Sequence, residues 1–170
     1  MKKISIILIF TTLLIACGKK PNYEKSFTRV VGTGEHTFRA FDLGDTYENV
    51  LNKEEASIID YTDSIQIRCK IEDSDTETYQ ITYVFDENAF LDAIRYDAYI
   101  GTIEDGAKLT NLFIAFFNKK YGATQEAKGF YTWTKNNQYV ELSDDSEVFG
   151  YGKVSLNIYK QAESKESLPL

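Results

Sequence analysis

The chain has 170 residues, 43% of them hydrophobic, with a formal net charge of −7 and a single histidine. That length suffices for one domain with a real core and falls short of two ordinary ones. Without a basic cluster in the folded region there is nothing to neutralise phosphates, which argues against nucleic acid as a partner; the same charge disfavours adhesion to anionic headgroups, so any grip on a membrane is expected to come from lipid.

Met1-Lys2-Lys3 is a short positive segment, and residues 4–15 are apolar. A run of about a dozen apolar residues fits a secretory signal and is short of the ~20 that a transmembrane helix needs. It closes on Leu14-Ile15-Ala16-Cys17, an aliphatic residue, a tolerant position, a small residue and a cysteine. This resembles the lipobox of bacterial lipoproteins. The resemblance implies a diacylglycerol on the Cys17 sulfur, cleavage between Ala16 and Cys17, and acylation of the freed amine with a chain such as palmitate. Two or three chains, at about 0.8 kcal/mol per buried methylene, hold a protein on a membrane without a spanning helix. A plain secretory signal that happens to end in cysteine is the other reading, and it lacks a good alternative cleavage site. Loss of residues 1–16 takes Lys2 and Lys3 with it and leaves one other cysteine, Cys69. With Cys17 a thioether, no intramolecular disulfide can form.

Residues 17–26 are polar, contain Pro21 and lack periodicity, so they are expected to be a tether; the domain is expected over 27–160. Short strands are expected at 27–31 and 36–41, around Gly32-Thr33-Gly34. A helix then opens near Asp45, an N-cap candidate with Glu48 three residues on, and carries Tyr47, Val50 and Leu51 as its apolar stripe. Strands follow at 64–71, 78–85 and 90–100. In the first of them Ile65, Ile67, Cys69 and Ile71 alternate with polar residues, which makes Cys69 a small buried hydrophobe. A second helix begins at Thr102, presents Leu109, Leu112, Phe113, Phe116 and Phe117 on one face, and ends at Lys119-Lys120 with Gly122.

Strands at 130–135, 138–144 and 153–160 complete the pattern, and residues 161–170 read as a flexible tail. If Asn136-Asn137 is a two-residue turn, Lys135 pairs with Gln138, Thr134 with Tyr139, Trp133 with Val140, Thr132 with Glu141 and Tyr131 with Leu142. Trp133 and Tyr131 then face the core, while Tyr139, beside Thr134 and Glu141, faces outward and Tyr159 joins it. The fold expected is α+β: two halves, each a helix followed by antiparallel strands, with the helices packed on one face of an antiparallel sheet.

The stretches Leu43-Gly44-Asp45-Thr46 with Val50, and Ile81-Thr82-Tyr83-Val84-Phe85-Asp86 with Leu91 and Ile94, resemble the fold family of the beta-lactamase-inhibitor-like domains and the small outer-membrane-assembly lipoproteins. Where that family commonly has a Gly-x-Pro-like turn after its first helix, this chain has Asn52-Lys53-Glu54-Glu55.

Catalytic chemistry finds little footing. His36 is the sole candidate for the base of a Ser-His-acid triad or for an imidazole metal ligand, no spacing selects one pair among the many carboxylates for glycosidase chemistry, and there is no Gly-x-Ser-x-Gly elbow, no complete dinucleotide fingerprint and no P-loop ending. The loop Glu72-Asp73-Ser74-Asp75-Thr76-Glu77 has the oxygen-rich character that calcium prefers, but Thr78 and Val84 stand where an EF-hand needs glycine and glutamate, so a solvated turn is favoured. Ser143-Asp144-Asp145-Ser146-Glu147 reads the same way. The expectation is therefore a lipid-anchored envelope protein, on the outer membrane by resemblance to other lipoproteins, lipidated at Cys17, with no catalytic residues, metal or cofactor. Its domain would bind another envelope protein through Tyr139, Thr134, Glu141 and Tyr159; the alternative is a ligand-binding or enzyme-inhibitory module.

Overall fold

The computed structural model describes residues 20–60, 64–127 and 129–161. Cys17 and the tail beyond Gln161 lie outside the described residues. Asn22 caps a helix where tether and strand were expected: its side-chain oxygen accepts from the Lys25 amide at 2.9 Å, and α1 runs Tyr23–Val31. Phe27, Val30 and Val31 stand three and four residues apart, the spacing that gathers side chains on one side of a helix, and Val30 and Val31 are buried. The tether therefore ends earlier than the expected Ser26, whose hydroxyl is buried and accepts from the Glu72 amide.

The strand expected at 36–41 is instead a tight turn. Phe38 and Phe41 bridge each other across Arg39, which takes a φ of 55°. Both rings are buried, and a strand would send residues three apart to opposite faces. Helix α2, Tyr47–Lys53, is capped by Thr46, whose hydroxyl accepts from the Asn49 amide at 3.2 Å. Asp45 is engaged one step earlier, accepting from the Asp42 amide at 2.8 Å, so the cap falls one residue later than expected.

The remaining elements are β1 Ile58–Asp60, β2 Ser64–Lys70, β3 Thr78–Phe85, β4 Leu91–Ile100, α3 Ile103–Tyr121, β5 Gln125–Ala127, β6 Phe130–Lys135, β7 Gln138–Asp144, α4 Ser146–Phe149 and β8 Gly152–Lys160. All eight strands join one antiparallel sheet in the order β1-β2-β3-β4-β8-β7-β6-β5. The chain is thus α+β, and the two runs of strands meet through their last members, β4 and β8.

Period-two alternation builds the core. Ile65, Tyr83, Ile94, Ile158, Val140 and Trp133 lie in register across six strands, and every one is buried. From α3, the Phe113 ring meets Tyr96 at 5.2 Å and the Phe117 ring meets Trp133 at 5.3 Å; from α1, Phe27 meets Phe113 at 5.1 Å. Cys69 is half-buried opposite Tyr79 and packs at the margin of this core. The Asn136-Asn137 turn has both residues at positive φ, 50° and 58°, the conformation a two-residue hairpin demands and asparagine tolerates. The β6–β7 register is the one expected from the sequence.

Candidate functional site

Residues alternating with the core form the other face of the sheet. Thr134, Tyr139, Tyr159, Ala93 and Val84 run across it in register, and the Tyr139 and Tyr159 rings lie 5.1 Å apart. Thr134 and Tyr159 are exposed, Tyr139 and Glu141 half-buried. Burial first, and then the Glu141 carboxylate and Tyr139, push the Tyr159 phenol up. The structure thus groups all four residues singled out in the sequence, and it adds Phe130, exposed on the same face of β6.

Elsewhere this face is polar and bridged within itself. Arg68 donates to Gln80 at 3.1 Å, Gln80 donates to Gln66 at 3.2 Å, and Ser155 donates to Asp97 at 2.8 Å. Lys153 pairs with Asp97 and stands 4.5 Å from the centre of the Tyr99 ring. The tyrosine pair is consequently the part of the sheet with contact surface to offer and few internal bonds to lose.

His36 belongs to a different cluster. Its Nδ1 lies 2.8 Å from Asp42, whose other oxygen accepts from the Thr37 amide at 2.6 Å, while Lys120 donates to the His36 and Thr37 carbonyl oxygens. Gln138 donates to the Thr37 hydroxyl at 3.1 Å and accepts from Tyr121 at 2.9 Å. Burial, with the Asp42 charge behind it, pushes the Tyr121 phenol up to about 12. Lys120 of α3 and Gln138 of β7 thus hold this loop in place, while the histidine ring closes on Asp42 within it.

Burial would raise the Asp42 pKa, but the bonds from His36 and Thr37 outweigh it and hold the carboxyl below its ordinary value. A depressed folded pKa adds stability that is complete above the unfolded value of about 4 and is lost as pH falls through the folded value. Asp42→Asn should therefore melt below the wild type at neutral pH, and the gap should close on acidification from about pH 4 downward. Melting temperatures across that range check it; a gap that stays constant would contradict the assignment.

A buried triad that sequence reasoning missed lies beside this cluster. Glu54, its side chain fully buried, accepts from Arg39 at 2.7 Å, Tyr83 at 2.7 Å and the Ala56 amide at 2.9 Å. The only signal for it was one arginine set among apolar neighbours in Phe38-Arg39-Ala40-Phe41. A cleft of about 420 Å³ opens next to it, lined by Arg29, His36, Arg39 and Lys53 together with Glu35 and Glu55.

The acidic loop at 72–77 differs from a merely solvated turn. Glu77 is buried and accepts from the Tyr23 hydroxyl at 2.9 Å and the Gly101 amide at 2.8 Å, while Glu72 pairs with Lys25 at 2.5 Å and Arg29 at 3.3 Å. In the second acidic loop Asp144 accepts from Thr110 and Ser146, and Asp145 accepts from Ser143. Among the described residues no three His, Cys, Asp or Glu side chains gather as metal ligands.

Comparison of the chain with protein-family models, with curated proteins and with solved structures finds no match. Among the described residues no helix is long and apolar enough to cross a membrane.

Proposed function

We propose that this chain is a bacterial lipoprotein, anchored in the cell envelope through lipid on Cys17, whose domain binds another envelope protein and performs no catalysis. In this reading α1 and α3 both pack on the Trp133 side of the sheet and leave the opposite side for the partner, a division akin to the layered family that the sequence resembles. The outer membrane is the expected location, facing the periplasm or the surface.

The observation that supports it is the Tyr139–Tyr159 pair, two rings 5.1 Å apart on the side of the sheet away from the core, with Thr134, Glu141 and Phe130 on the same side. Aromatic anchors within a polar surround are what protein interfaces concentrate. Tyr139→Ala should change stability by about 1 kcal/mol or less and reduce partner recovery by tenfold or more after crosslinking in intact envelopes. Equal recovery with both tyrosines replaced would remove this face from consideration. Separately, Cys17→Ser should abolish lipid incorporation and leave the precursor uncleaved; normal processing would sink the anchor.

The cleft at Arg39 supports a second reading, a ligand-binding module, because Arg29, Arg39 and Lys53 bring more cations to its lining than Glu35 and Glu55 bring carboxylates. A small anion that raises the melting temperature of the wild type but not of Arg29→Ala would favour it.

A further inference from the structure

We infer that one end of the sheet faces the bilayer and that the tip Val148-Phe149-Gly150-Tyr151 enters the boundary between headgroups and acyl chains beside the lipid on Cys17. The inference rests on the lipoprotein reading. Lys70, Thr78, Tyr99 and Lys153 lie in register across β2, β3, β4 and β8, so the 71–77 loop, the start of α3 and the α4 segment all emerge at the same end.

The start of α1 is fastened to that end. The Asn22 amide donates to the Glu72 carbonyl at 2.8 Å, and Tyr23 reaches the Glu77 carboxylate that also accepts from the Gly101 amide. The α3 start and the α4 segment are in close contact in turn: a Cβ on Gly152 would come within 2.6 Å of the Thr102 carbonyl oxygen.

Chain length fixes which end is lower. Six peptide steps separate Cys17 from Tyr23, about 20 Å when fully extended. Strand β4 has ten residues and spans roughly 30 Å. A domain turned to present the opposite end would hold the start of α1 farther from the membrane than the linker reaches.

That end carries apolar side chains in water. Val148 is 85% exposed, Phe149 52% and Tyr151 37%, with the two rings 5.8 Å apart, and Ile103 and Tyr99 are exposed nearby. Among the described residues, five of the nine exposed large apolar side chains thus lie at the end nearest the anchor. Aromatic and aliphatic side chains on a short tip suit the interfacial region of a bilayer. Carboxylates at the same end, including Glu104 and Glu147, make a zwitterionic surface the fitting one.

The test uses the acylated chain in phosphatidylcholine vesicles whose acyl chains carry bromine as a quencher. In a Cys69→Ala background, Val148→Cys bears an environment-sensitive dye, with Tyr151→Cys as a second position and Glu87→Cys, in the turn at the opposite end, as reference. Emission from the Val148 and Tyr151 positions should shift to the blue and be quenched at least twofold more than from Glu87. If the chain floats with vesicles but all three dyes report water, the orientation is overturned and the anchor stands. If the purified chain neither carries lipid nor floats, the anchor fails and the orientation with it.

Discussion

Trp133→Ala should lower stability by about 3–5 kcal/mol, a large share of what a single domain has. The side chain is 3% exposed, its ring packs 5.3 Å from Phe117, and its indole N–H donates to Asn118 at 2.9 Å. Truncation leaves a cavity between α3 and β6 and strips Asn118 of one donor. Trp133→Phe keeps most of the volume and loses chiefly the hydrogen bond, so its cost should be nearer 1–2 kcal/mol. Because Trp133 is the only tryptophan, unfolding is followed by circular dichroism and not by indole emission. A loss below 1 kcal/mol for the alanine variant would mean that the β6–β7 hairpin contributes little to the core. Together with Tyr139→Ala, the pair separates fold from contact: neighbouring strands, opposite faces, opposite phenotypes.

The second large effect is expected at the buried triad. Arg39→Leu leaves the Glu54 carboxylate inside the protein without its cation, which should cost about 3–5 kcal/mol. Replacing both members, Arg39→Leu with Glu54→Leu, removes the uncompensated charge and should recover much of that loss, although Tyr83 then lacks its acceptor. Denaturant unfolding of the two single variants and the double variant gives the coupling directly. Additive losses, with the double variant the least stable of the three, would show that the pair is not a coupled unit.

Much of this architecture is legible in the residues themselves. Alternation such as Ile65, Ile67 or Tyr79, Ile81, Tyr83 fixes which face of a strand is buried, because a side-chain period of two leaves no other choice once one face is apolar. The Asn-Asn turn fixes the hairpin register for a similar reason: two consecutive positive φ values suit asparagine, and a two-residue loop allows one set of pairs. The outward placement of Tyr139 follows from that alone, as does the inward placement of Trp133.

Other features depended on contacts between parts distant in the chain. Residues 23–31 carry the helical spacing of Phe27, Val30 and Val31, but a reading of 27–31 by themselves shows too little of it; the full turn is fixed where Phe27 docks on Phe113 and Ser26 and Asn22 bond to Glu72. Glu54 and Arg39 look like surface charges until the 38–41 turn and the end of α2 close over Tyr83. Glu77, one carboxylate in an acidic loop, is buried because α1 and the start of α3 arrive on either side of it. Local periodicity records what each segment needs to hide. Which segments hide one another, and hence which charges are buried and which apolar tip is left exposed, is decided by the order in which the strands lie in the sheet.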